Sequence, residues 1–149
     1  MKARAVDHLA VTVSNTERAL EFYVGKLGLK QVEQHQLEGD KVDAVTGLKS
    51  AQAQSTRLIA EGTPNILIDL LELYEPNLDP VQAPMCAVGS CHFALIVDDL
   101  QGSVEELKSK GVEFTSDPVT FEITTGAVTV IFCKDPDGNH VELMEEYEH

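Results

Sequence analysis

Two stretches of this chain say nearly the same thing. Residues 7–33 read DHLAVTVSNTERALEFYVGKLGLKQVE, and residues 91–114 read CHFALIVDDLQGSVEELKSKGVEF. Each opens with a histidine in an apolar, β-branched run and then meets a polar cap signal. Each continues as an amphipathic stretch and ends in a glycine followed by a short apolar run. His8 precedes Gly28 by 20 residues and His92 precedes Gly111 by 19. One supersecondary unit used twice is the strongest single restriction on what the chain can fold into.

The stretch after Ser14 reads as a helix. Ser14 with Glu17 three residues on fits a capping box. Ala19, Leu20, Tyr23 and Leu27 fall on one face, and Gly28 stands where a left-handed C-terminal cap belongs. In the second copy Asp98 or Asp99 serves as the cap, Leu100, Val104 and Leu107 make the stripe, and Gly111 ends it. Strand-like segments follow both helices, at 30–37, 54–60 and 65–74 in the first copy. In the second they lie at 112–115, at 119–124 with 127–133, and at 139–147. Each half is therefore predicted as β-α-β-β-β. The segment EGDKVDAVTGLKSAQA (38–53) has no clear period and reads as a loop. NLDPVQAPMCAVGS (77–90), with two prolines and a glycine, reads as a linker. The expectation is a single domain over 1–149, made of module 1 (4–76), the linker (77–90) and module 2 (91–147).

Charge narrows the partners. With 25 Asp and Glu against 11 Lys and Arg, the formal charge is −14. A field of that sign repels phosphate backbones and anionic membranes, so no nucleic-acid or membrane partner is expected. It also opposes acidic substrates unless a local cation reverses the sign at the site. The start, MKARAVDHLAVTV, lacks the h-region of a signal peptide. No apolar run approaches the roughly 20 residues a bilayer span needs. Cys86, Cys91 and Cys133 form neither an even framework nor a CxxC pair, and read as reduced thiols of a cytoplasmic protein.

Two acids are out of keeping with their surroundings. In NILIDLLELYEP (65–76) Glu72 alternates with Ile66, Ile68, Leu70 and Tyr74, while Asp69 and Glu75 have the opposite parity. In NHVELMEE (139–146) Glu142 sits between Val141 and Leu143 and alternates with His140, Met144 and Glu146. His8 shares a face with Val6, Ala10 and Thr12, and His92 with Ala94 and Ile96. An ionised carboxylate in an apolar row costs several kcal/mol unless a cation compensates. A lone strand histidine is ordinarily a satisfied surface or core residue, and a lone strand acid an edge charge facing water. The joint pattern is different: histidine begins the first strand of both halves and glutamate lies in the last strand of both. Two imidazoles and two carboxylates suit a divalent ion such as Zn²⁺, Ni²⁺, Co²⁺, Mn²⁺ or Fe²⁺. On this reading Asp69→Asn should do little, because parity turns Asp69 away from Glu72.

The four motifs DHLAVTVSNTERALEFYVGKLGL, LLELYEP, HFALIVDDL and FCKDPDGNHVELME, in that order, resemble the vicinal oxygen chelate superfamily. It includes glyoxalase I, methylmalonyl-CoA epimerase, extradiol dioxygenases, and the fosfomycin and bleomycin resistance proteins. The resemblance covers nearly the whole chain and implies an α+β fold. In it, two tandem βαβββ modules form a curved, cup-like mixed β-sheet with the helices outside. It implies His8, Glu72, His92 and Glu142 as the metal ligands, and one divalent ion (Zn, Ni, Co, Mn or Fe) as cofactor. Glu142 first and Glu72 second are implied as the base that removes a proton beside a carbonyl, the ion stabilising the resulting enolate.

The expected activity is a metal-dependent lyase or isomerase of the glyoxalase or epimerase type, acting on a small molecule with vicinal oxygens. Glyoxalase I usually carries an arginine soon after its first histidine to hold a glutathione carboxylate. Here His8 is followed by LAVTV, and of Arg4, Arg18 and Arg57 only Arg57 lies mid-strand. An extradiol dioxygenase is one alternative, although that reaction commonly uses a His-His-Glu triad without a fourth acid. A drug-sequestering protein of the same fold is another. Against it stand the full ligand set and a chain with no Trp and 5% aromatic residues, since planar drugs are held by stacking. A homodimer is the default expectation for assembly.

Overall fold

A computed structural model describes residues 2–124 and 126–148. The chain divides into two compact units, Met1–Val81 and Gln82–His149. In the first unit β1 (His8–Val13) leads to helix α1 (Thr16–Tyr23), then β2 (Lys30–Glu38), helix α2 (Asp40–Thr46), β3 (Gln52–Ile59) and β4 (Leu67–Glu75). In the second, β5 (His92–Ile96) leads to helix α3 (Leu100–Ser109), then β6 (Val119–Ile123), β7 (Gly126–Lys134) and β8 (His140–Glu148).

Each unit forms a four-stranded mixed sheet, with strand orders β1-β4-β3-β2 and β5-β8-β7-β6. In both, the first strand runs parallel to the last and the remaining pairs are antiparallel. This is the α+β architecture of two tandem modules expected from the repeat.

Helix and sheet meet through one face only. In β1 the buried residues are Val11 and Val13; in β4, Ile68 and Leu70 lie on that same face, against Ala19, Phe22 and Tyr23 of α1. In the second unit Ile131, Val141 and Leu143 do the same for Leu100, Val104 and Leu107 of α3. Burying a side chain of this size stabilises by about 1.5–3 kcal/mol, so these two slabs carry most of each unit's stability. The alternate residues of β1 and β5, His8, Ala10 and Thr12 and His92, Ala94 and Ile96, stay exposed on the other face.

The helix signals are largely as expected. Asp99 caps α3, its carboxylate accepting from Gly102 N at 2.9 Å. Gly28 and Gly111 take positive φ, 78° and 76°, just beyond their helices. At α1 the cap is Asn15, whose side chain accepts from Arg18 N at 2.8 Å, in place of Ser14. The expected loop 38–53 contains α2, fixed by Asp43 accepting from Ser50 N and Ala51 N at 2.8 and 2.7 Å. That helix buries no residue, so no apolar period marks it. The expected strand at 112–115 shrinks to one bridge, Phe114 to Cys133.

Candidate functional site

Strand register decides which acids share a face with the histidines. In unit 2, His92 stands beside His140 and Ala94 beside Glu142. Partners in a ladder point the same way, so His92, His140 and Glu142 share the face away from α3. His92 Nε2 and Glu142 Oε2 are 3.4 Å apart. The His92 ring is fixed edge-on to Phe132, centroids 5.1 Å apart. Two atoms that each lie about 2.0–2.2 Å from one ion stand about 3–3.5 Å from one another, so the pair is spaced as two ligands would be.

In unit 1, His8 stands beside Leu67, Ala10 beside Asp69 and Val13 beside Glu72. The expected ligand Glu72 therefore lies on the face opposite His8, towards α1. Its Oε2 accepts from Thr16 N at 2.8 Å and from Thr16 Oγ1 at 2.6 Å, at the first turn of α1. The helix N-terminus, with its free N–H groups and positive dipole end, is what compensates this half-buried carboxylate. The carboxylate expected as the second candidate base is thus held at the helix. Glu145 does the same in unit 2, accepting from Leu100 N at 2.8 Å.

Asp69, rather than Glu72, shares the face of His8. It is buried, its Oδ1 accepts from Ser55 Oγ at 2.6 Å, and it sits two residues beyond the partner of His8, as Glu142 sits two beyond the partner of His92. The signal was in the chain: DLLE (69–72) and ELME (142–145) repeat an acid-x-x-acid pattern. In each, the first acid joins the histidine face and the second holds the helix. His8 Nδ1 is 2.9 Å from Asp7 Oδ2, which leaves Nε2 as the free ring nitrogen.

Among the described residues no three His, Cys, Asp or Glu side chains gather closely enough to hold an ion by themselves. In unit 2 one imidazole and one carboxylate stand close together, His92 and Glu142; in unit 1 the register puts His8 and Asp69 on one face. A polar cavity of about 510 Å³ lies in unit 1, lined by residues that include Thr16, Gln34, Gln54, Glu72 and Tyr74. It opens on the α1 face, away from His8 and Asp69. Tyr74, which alternates with Glu72 along β4, belongs there.

Two further features complete the picture. Arg57 is the register partner of Asp69, and Glu33 that of Arg57, so Ala10, Asp69, Arg57 and Glu33 form one cross-strand row. Arg57 Nη1 donates to Glu33 Oε2 at 3.2 Å, and His35 Nε2 is 3.1 Å from the same oxygen. Chiefly through that His35 hydrogen bond, with Arg57 adding, the Glu33 carboxyl is held below its usual range. Elsewhere, burial with help from Asp135 pushes the Cys133 thiol up to about 11.

A family model described as Glyoxalase/Bleomycin resistance protein/Dioxygenase superfamily matches residues 5–143. The chain belongs to this superfamily. Among its glyoxalase-superfamily relatives is a probable chloroplastic lactoylglutathione lyase of Arabidopsis thaliana, 26% identical over 95% of this chain. The chain spans only 36% of that plant protein's length. The lactoylglutathione lyase of Escherichia coli O157:H7 is 24% identical over 93% of this chain and 90% of its own. A solved glyoxalase family protein from Bacillus cereus superposes with a TM-score of 0.84 at 23% identity, covering 98% of this chain and 96% of its own. It shares the fold. No helix among the described residues is long and apolar enough to cross a membrane.

Proposed function

We propose that this glyoxalase-superfamily chain is a divalent-metal-dependent lyase or isomerase acting on a small molecule with two adjacent oxygens. The donors are His8 and Asp69 in the first unit and His92 and Glu142 in the second. The observation that carries the reading is the His92–Glu142 pair at 3.4 Å, repeated in register by His8 and Asp69. An ion held at such a histidine–carboxylate pair would supply a Lewis acid for negative charge developing on substrate oxygen.

The side chains divide the remaining work. Ser55 fixes one oxygen of Asp69 and so sets the direction of the other. Phe132 holds the His92 ring edge-on and keeps water from one side of it. Glu142, largely buried, is the base, its carboxylate taking the proton from the carbon beside the substrate carbonyl. A small-molecule substrate and a homodimer are the partners this reading carries, in keeping with the superfamily.

Metal titration of the purified chain tests the proposal. About one equivalent of Ni²⁺ or Co²⁺ should bind and be lost in Glu142→Gln and His92→Ala. Uptake below about one tenth of an equivalent overturns it, because a competent site of this kind fills. In the loaded protein, deuterium from solvent should enter the carbon next to the substrate carbonyl, and Glu142→Gln should stop that exchange.

A further inference from the structure

We infer that Arg57 is an anion-recognition residue, and that the substrate carries a carboxylate a few bonds from its adjacent oxygens. This rests on the metal-dependent reading above and names the substrate class for that site.

Comparison of the two units singles the residue out. The position next to Glu142 on the neighbouring strand is Phe132; the position next to Asp69 is Arg57. The duplicated scaffold thus offers an apolar side chain at this place in one half and a guanidinium in the other. Among the described residues Arg57 is the only arginine inside a strand.

Its present bonding leaves it underused. Nη1 reaches Glu33, a half-exposed carboxylate shared with His35. Exposed pairs of this kind are weak. Nε is buried and has no hydrogen-bond partner among the described residues. The side edge of the guanidinium, Nε with Nη2, is the edge that takes a carboxylate through two parallel bonds. A rotation about the last bonds of the side chain, itself 32% exposed, turns that edge to solvent. Directly paired positions have Cβ atoms about 4.5–5.5 Å apart, so an anion on Arg57 lies within a short carbon chain of Asp69. In a chain of net charge −14, a placed cation offsets the repulsion that a second carboxylate on the substrate would meet.

Two probes share the same adjacent oxygens and differ in the distal group: 2-oxopentanedioate and 2-oxopentanoate. Their binding to the Ni²⁺-loaded full chain is measured by calorimetry, for the natural protein, Arg57→Gln and Arg57→Lys. The natural protein should prefer the pentanedioate by at least about tenfold. Arg57→Gln should lose that preference while still binding 2-oxopentanoate. Arg57→Lys, which keeps the charge without the fork, should retain an intermediate preference and serves as the test if the Gln variant fails to fold. Equal affinities in the natural protein, or a preference that survives in Arg57→Gln, overturn the inference and leave the metal reading standing. Failure to take up Ni²⁺, or to bind either oxo acid, overturns both.

Discussion

Glu72 and Glu145 hold equivalent places in the two units. Each lies three residues after an acid on the histidine face, and each accepts a hydrogen bond from the backbone N–H of the first residue of a helix, Thr16 of α1 or Leu100 of α3. The last strand of each unit thereby presents one carboxylate to the site and another to the helix.

Glu72→Ala and Glu145→Ala should each lower stability by about 1–2 kcal/mol, the worth of a charged group at a helix N-terminus. Chemical denaturation with and without Ni²⁺ checks this. Metal stoichiometry should be unchanged in Glu72→Ala; loss of the metal in that variant would return Glu72 to the ligand set.

Asp69→Asn should weaken metal binding by more than about 100-fold, and Ser55→Ala by about tenfold, since a residue that only orients a ligand matters less than the ligand. Competition against a metal-sensitive dye measures both. Asp69→Asn with natural affinity would remove Asp69 from the centre.

Cys133 is fully buried and its thiol is pushed up to about 11, first by desolvation and then by Asp135. Thiolate is the reactive form, so at pH 8 a thiol reagent should label Cys86 and Cys91, both exposed, and spare Cys133. The raised value means the neutral thiol is favoured by folding. That contribution, about 3 kcal/mol, is complete below the ordinary thiol range near 9 and disappears as pH rises through 11. Cys133→Ser should therefore flatten the loss of stability between pH 9 and 11.

Gly111 has φ of 76° and open space where a Cβ would lie. Gly111→Ala should thus cost about 1–2 kcal/mol through backbone conformation alone. A melting curve reads the loss, and an unchanged Tm would show that the turn relaxes.

The repeat made most of the fold legible, because helix caps, terminal glycines and alternating strands are local signals. His8 with His92, Asp99, Gly28 and Gly111 are all local in this sense. Helix α2 was not legible: it buries nothing, and hence leaves no period. Asn15 and Ser14 are both cap-type residues, and chemistry alone does not choose between neighbours. The face of Glu72 was hidden for a different reason. Parity within β4 correctly grouped Glu72 with Ile68 and Leu70, but which side that row takes depends on the register with β1. Register is a long-range property. Laying DLLE over ELME would have supplied it, since the duplicated spacing assigns the two acids of each pair together.

The parallel pairing of β1 with β4 joins His8 to Leu67, and that of β5 with β8 joins His92 to His140. A nascent chain emerging at about 5–20 residues per second leaves β1 waiting some 3–12 s for its partner, and β5 somewhat less. During that interval the hairpin of β2 and β3 is the only ladder of the first unit that can form. On the ribosome the histidine strand therefore cannot dock before the last strand of its sheet has emerged, and that interval is when a chaperone or a stray edge would find it.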